Sequence, residues 1–305
     1  MPKLTEPSSP IRTPSTGRGP GPAPNAPRPV VALRSACLGL ILAAPGLQAQ
    51  HPSTVVDYRP GTGFSPGYTN AAAALGAPSR VTPGDFGGPV TPFAPPYTRE
   101  QLVSIGTGGS LTLRWDTPIR NAAGNPFGLD FTVFGSTGFL MTNEFDANWN
   151  PIGEPATDGS LFNPNPGTQR VSVSPDGSTW YVLDPARAPK VDHYLPTDGS
   201  GDFGIPMSLS LQPADFAGKT LDQIRGLYRG SAGGAAFDLD WALDATGKAV
   251  ALSEASFVRI DVLTGKADID ALALVATVPE PGTWGLMASA LVTGWLGRRI
   301  ARRHP

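Results

Sequence analysis

The chain has 305 residues but only one cysteine, Cys37, and three histidines, His51, His193 and His304. A single thiol excludes a disulfide framework and a Cys-ligated zinc site. Cys37 lies in an apolar run that reads as a removable leader, so the mature protein also lacks a cysteine nucleophile. Charge is sparse, at 16% of residues against the roughly 25% usual for soluble domains. Positive charge is especially scarce in the middle. Residues 50–278 hold 14 Lys/Arg against 23 Asp/Glu, so 14 − 23 gives −9 with His neutral. Such a body disfavours nucleic acid and anionic lipid as partners. There is no Gly-x-Ser-x-Gly elbow to present a serine nucleophile, and no repeat with a period of 20–50 residues. In the middle Glu occurs only at Glu100, Glu144, Glu154 and Glu254, which gives little support to paired carboxylates for glycoside hydrolysis.

Glycine and proline are abundant. The 37 Gly and 34 Pro make 71 residues, or about 23%, just under the roughly 25–30% of low-complexity chains. They are the two poorest helix formers, so a mostly helical fold is excluded and a turn-rich one expected.

The two ends differ from the body. Residues 1–29 carry nine prolines and no apolar periodicity, as disordered segments do. Arg34 then precedes an apolar run from Ala36 to Leu47, followed by Leu47-Gln48-Ala49 and polar His51-Pro52-Ser53. A positive flank, a short apolar core and a small residue make a secretory signal with cleavage after Ala49, implying the Sec translocon. Initiation at Val30 or Val31 would leave a signal of ordinary length. Cys37 begins the apolar run, whereas a lipidated cysteine would end it.

At the other end, Pro279-Glu280-Pro281 precedes an apolar stretch from Trp284 to Leu296 that includes Leu286, Leu291 and Trp295, and then Arg298, Arg299, Arg302 and Arg303. A transmembrane helix of about 14–16 residues would be roughly 21–24 Å long at 1.5 Å per residue. That is short of a roughly 30 Å hydrocarbon core, so spanning needs thinning or snorkelling. Trp284 and Trp295 suit the interfacial belts, and the Arg cluster suits a cytoplasmic stop. Three parts in this order at the chain's end resemble the PEP-CTERM sorting signal. The resemblance covers residues 278–303. It implies a temporary anchor read by an exosortase, a membrane protease acting near Pro279-Glu280-Pro281, in an exported protein of a Gram-negative-type cell.

Between the ends the pattern is strands and turns. Residues 59–100 hold eight prolines and read as an extended entry segment, tied to the domain by Phe64, Tyr68, Phe86, Phe93 and Tyr97, with a helical turn at 70–75. Leu102–Ile105 and Leu111–Trp115 alternate apolar and polar residues around Gly106–Gly109, predicting a hairpin. Phe131–Val133 is a strand. Residues 170–174 and 179–183 flank Pro175-Asp176-Gly177-Ser178, a strong hairpin turn. Met207–Leu211 is a further strand and Asp215–Tyr228 the one helix, with Leu221, Ile224 and Leu227 on one face. Strands at 237–243, 249–252, 257–263 and 269–275 complete a mainly-β chain. The expectation is a single jelly-roll-like β-sandwich with one short helix over 50–278, between the leader of 1–49 and the sorting segment of 279–305. Several segments, among them Ser104–Leu113, Asp130–Gly135, Val171–Gly177 and Asp268–Ala271, resemble exported cell-surface β-sandwich domains that precede PEP-CTERM tails. Phe145–Gly167 departs from that pattern as a long inserted loop.

Few constellations carry chemistry. Gly106-Thr107-Gly108-Gly109 lacks the Lys-Ser/Thr and helix of a phosphate loop and reads as a turn. Gly233–Asp238 is similar to one calcium-binding nonapeptide, but that architecture needs stacked copies. Asp238 with Asp240, and Asp268 with Asp270, are spaced i, i+2, which on a strand puts both carboxylates on one side. With Asp130 and Glu144 they could converge on Ca²⁺, which takes 6–8 oxygens. The alternative is two solvent faces that carry Asp. His193, beside Asp192, has no serine elbow to complete a triad. The sequence thus predicts a non-enzymatic, surface-displayed or extracellular-matrix protein, anchored transiently and then released to the surface. The alternatives are a carbohydrate-binding module, with exopolysaccharide as partner and Trp149, Trp180, Tyr181, Tyr194 and Trp241 as candidate aromatics, or less favourably a polysaccharide hydrolase.

Overall fold

The computed structural model describes residues 50–148, 150–162 and 167–276. The leader with Ala49, Trp149, and the whole sorting segment (Pro279, Glu280, Pro281, Trp284 to Leu296 and the terminal arginines) lie outside them. Among the described residues no helix is long and apolar enough to cross a membrane.

In chain order the strands are β1 (Thr54–Arg59), β2 (Val81–Thr82), β3 (Gly88–Pro89), β4 (Val103–Gly106), β5 (Ser110–Arg120), β6 (Phe131–Gly135) and β7 (Ala156–Thr157). They continue with β8 (Thr168–Ser174), β9 (Tyr181–Leu183), β10 (Lys219–Thr220), β11 (Ala235–Phe237), β12 (Ala242–Leu243), β13 (Glu254–Thr264) and β14 (Lys266–Leu274). The helix α1 (Leu221–Tyr228) lies between β10 and β11.

Two sheets dominate: a six-stranded one ordered β1-β5-β13-β8-β9-β12 and a four-stranded one ordered β11-β6-β14-β4. All their pairings are antiparallel. Without β1 and β12, the other eight strands alternate between the sheets as a jelly roll does: β4-β14-β6-β11 opposes β5-β13-β8-β9, giving two interlocked Greek keys. β1 extends one edge of the larger sheet and β12 the other.

Alternation places the core. Leu111 and Leu113 of β5, Val171 and Val173 of β8, and Val258, Ile260 and Val262 of β13 are buried with Val103, Ile105, Phe131, Val133, Ala267 and Ile269 of the smaller sheet in one cluster. Phe131 and Phe237 stack at 5.3 Å between ring centroids. β-Branched and aromatic residues suit this pleated, half-buried setting.

The predicted hairpin at Gly106–Gly109 is corrected: β4 pairs with β14, while β5 pairs with β1 and β13. The glycine turn carries the chain from one sheet to the other. Its backbone presses on residues 60–62, where Thr62 and Thr107 exchange two backbone hydrogen bonds (2.9 and 2.8 Å). A Cβ at Gly109 would lie 2.5 Å from the Arg59 carbonyl oxygen, so close approach demands glycine there. The hairpin of β8 and β9 does form, with Ser172 opposite Val182. Asp176 turns it by accepting from the backbone N–H groups of Ser178 (2.8 Å) and Thr179 (2.7 Å), which hold its carboxyl well below the ordinary range.

Other elements are shorter than expected. Residues 207–211 form no strand, since the Leu211 N–H closes a turn onto the Ser208 carbonyl at 3.1 Å. Residues 249–252 make only a bridge of Ala249 to Leu243. The helix begins at Leu221, after a 3-10 turn at Pro213–Phe216. Its Thr220 cap and Gln223 bond reciprocally, a capping box that fixes the start. The turn at Ala71–Ala74 falls where predicted.

Candidate functional site

The outer faces of the two sheets differ. On the larger one, β5 and β13 turn Arg114, Asp116 and Arg259 toward solvent, while Thr112 and Asp261 of the same strands are buried. On the smaller one, β4 and β6 are buried along their whole length and β14 nearly so. Loops cover that sheet. Phe134 meets Phe203 edge-on at 5.2 Å, and Phe139, Phe216 and Tyr228 form a chain of ring contacts at 5.1 and 5.7 Å. Arg80 lies 4.4 Å over the Phe203 ring and donates to the carbonyls of Gly199 and Gly201. Tyr228 Oη donates to the Pro196 carbonyl at 2.8 Å.

Polar residues caught under this cover need partners. Asp270 accepts from Ser79 N (2.7 Å) and Ser79 Oγ (2.8 Å), and burial lifts its carboxyl to about 6. Asp192 accepts from Thr137 N (3.0 Å) and Asp268 N (2.8 Å). Burial, then the charge of Asp268, pushes Asp192 up to about 8. Its oxygens serve Thr137 and Asp268 rather than His193, and no triad forms. Gly135 leaves room for it: a Cβ there would sit 2.2 Å from Asp192 Oδ1. Asp268 Oδ2 pairs with Lys266 Nζ at 2.8 Å, while its buried Oδ1 has no hydrogen-bond partner.

The other acids lie elsewhere. Asp130 accepts from Asn125 Nδ2 (2.7 Å) and Leu239 N (2.8 Å), and burial raises it to about 6. Asp238 caps the 3-10 turn Leu239–Trp241 through Asp240 N at 2.7 Å, and Asp240 accepts from Asn121 Nδ2 at 2.6 Å. Val275 N donates to the Asp130 carbonyl, which puts Asp130 seven residues along the chain from Asp268. That is roughly 23 Å at about 3.3 Å per residue. The expected convergence of Asp130, Asp238, Asp240, Asp268 and Asp270 is therefore not found: strand direction separates them into two ties at opposite ends. Glu144 is exposed in a separate loop. Among the described residues, no three His, Cys, Asp or Glu side chains are grouped to hold a metal ion.

The cover leaves a groove of about 550 Å³ at the Asp268 end, lined by Tyr68, Phe93, Tyr97, Phe162, Lys266 and Asp268 among others. Tyr68 Oη donates to the Tyr97 carbonyl (2.6 Å) and Tyr97 Oη to the Phe86 carbonyl (2.9 Å). Both hydroxyls are thus tied to backbone. Lys266 Nζ also donates to Ser65 Oγ at 2.7 Å. Ser65 and Lys266 are shared with a neighbouring hollow of about 480 Å³ lined by residues 62–66. Of the aromatics expected from sequence, Trp180, Tyr181, Tyr194 and Trp241 do not line this groove. Trp180 meets Phe257 edge-on at the larger sheet, Trp241 and Tyr194 are buried, and Tyr181 lies in β9. Tyr97 and Phe162 owe their exposure to loop placement, a property with no local pattern; the one sequence signal is the Pro95-Pro96 pair that stiffens the chain before Tyr97.

Outside the described residues, the tail decides the assignment. Residues 277–303 match the PEP-CTERM protein-sorting motif. No curated protein matches the chain. The chain thus carries a PEP-CTERM sorting motif at its tail, with a mainly-β body before it. A PEP-CTERM signal implies processing by an exosortase-type system, and export to the cell surface or beyond. Pro279, Glu280, Pro281 and Arg298 to Arg303 all fall inside the match.

Proposed function

We propose that this protein is a non-enzymatic display module. The leader sends it through the Sec translocon, the apolar stretch Trp284–Leu296 holds it in the inner membrane, and cleavage near Pro279-Glu280-Pro281 frees the jelly roll at the surface or into the extracellular matrix. The match at residues 277–303 carries this reading. The ties of the buried acids support it, because Asp130, Asp192 and Asp270 each serve backbone N–H groups of distant loops, the work of scaffold residues rather than of a general acid or base facing substrate. Replacing Glu280 and Pro281 by Ala in the native host should leave uncleaved precursor in the membrane fraction. Processing at the wild-type rate would refute the sorting role.

A second reading, carbohydrate binding, is favoured by one observation: the groove sets the exposed rings of Tyr97 and Phe162 beside the Lys266–Asp268 pair. In that reading the exopolysaccharide is the partner met after release.

A further inference from the structure

We infer that the groove beside β14 takes neutral sugar residues of a polysaccharide, with Tyr97 and Phe162 as stacking faces and Lys266 and Asp268 as the polar floor; this rests on the carbohydrate-binding reading and names its site and ligand chemistry. Ring availability comes first. Tyr97 is 46% exposed and Phe162 38%, both large apolar surfaces left open at the rim. Their positions are fixed, since the Tyr97 hydroxyl is spent on the Phe86 carbonyl and Phe162 lies over Gly138, where an added Cβ would come within 2.8 Å of its ring. A pre-ordered ring loses little entropy on binding. Pyranose C–H faces match such rings, as apolar surface does generally.

The floor selects among ligands that stack. Asp268 is only 8% exposed and lines the groove; its Oδ1 is shut away from solvent, and its Oδ2, paired with Lys266 Nζ, has lone-pair capacity for one more donor. Sugar hydroxyls are donors. Lys266 is already neutralised by Asp268 and bonded to Ser65, so it has little charge to offer a carboxylate or phosphate. The surrounding body, at 14 − 23 = −9 over residues 50–278, repels polyanions. Hydroxyl donors without negative charge fit both conditions.

The test is affinity electrophoresis of the full chain in detergent through gels containing dextran, galactomannan, a soluble β-glucan or alginate. The expected result is retardation by at least one neutral polymer. Tyr97→Ala and Phe162→Ala should each weaken that retardation about tenfold, the scale of losing a contact anchor. Tyr97→Phe keeps the ring but loses its tie to Phe86, so it should weaken retardation less than Tyr97→Ala does; Trp180→Ala lies at the other sheet and should match wild type. Phe162→Ser, at an exposed site, serves if Tyr97→Ala does not fold. Retardation by alginate alone would overturn the neutral-ligand claim while leaving carbohydrate binding in place. No retardation by any polymer, or retardation unchanged in the groove variants, would overturn the site. Surface delivery followed in the same strains keeps the sorting role separate, since Tyr97→Ala should be processed like wild type.

Discussion

The two sheets of this jelly roll share one core but live in different surroundings on their far sides. The six-stranded sheet shows solvent a face of mixed charge, where Asp261 sits between Arg170 (3.1 Å) and Arg259 (2.7 Å). The four-stranded sheet is roofed by loops, and its outward Ser104, Thr132, Asp268 and Asp270 are all buried. On the first sheet Asp261, though only 6% exposed, is held by arginines of its own and the adjacent strand, β13 and β8; a buried polar side chain on the second needs a partner from a loop distant in sequence. That asymmetry converts ordinary Asp residues into clasps for the loops, and it creates the groove where the roof stops short.

The contrast can be broken first at what the sheets share. Phe131→Ala removes a fully buried ring stacked on Phe237. It should cost about 3–5 kcal/mol, read as a lower urea midpoint. The outer faces come next. Asp270→Ala would leave the half-buried Ser79 N–H and hydroxyl without their partner and should cost about 1–3 kcal/mol. Arg170→Ala on the open sheet should change stability by only about 0–1 kcal/mol, less at high salt. Equal effects at Asp270 and Arg170 would dissolve the distinction between the faces.

A shallower effect separates the sheets by pH. Burial raises Asp192 to about 8 and Asp270 to about 6. Such acids hold a proton more tightly folded than unfolded. Their stabilisation is complete below the unfolded pKa near 4 and fades as pH rises through the folded values. Stability should therefore decline between pH about 4 and 8, through groups on the covered side, and Asp192→Asn should flatten the upper part of that decline in urea titrations. Asp198 works in the opposite sense: burial pulls its carboxyl up, but Arg225 (2.7 Å) and Ser200 hold it below its ordinary value. Its contribution is lost in acid.

What could be read from sequence follows the same divide. Leu111-Thr112-Leu113-Arg114-Trp115 announces a strand because one side is wet, and the sandwich class follows from such runs. The partner of a strand is a different matter. Ile105 and Leu111 look like arms of one hairpin, yet they belong to opposite sheets, since only distant residues such as Ala267 and Ile260 decide the pairing. Met207–Leu211 alternates as a strand would, but Ser208 and Ser210 bond each other at 2.8 Å within a turn. Asp268 and Asp270 share a face as their spacing demands. Their burial comes from Asp192 and Ser79, residues 76 and 191 positions away. The groove was illegible for that reason: its walls come from loops, and only the fold brings Tyr97 to Lys266. The sorting tail is the reverse case, a contiguous code of proline, acid, apolar run and arginines that requires no fold to be recognised.

The delivery of this body by its tail is the claim on which the rest stands. Mass spectrometry of the C-terminal peptide from the surface-released protein tests it most directly. The account predicts a terminus near Pro279–Pro281, with Trp284 to Arg303 missing. A released protein that still ends in Arg302 and Arg303 would contradict it.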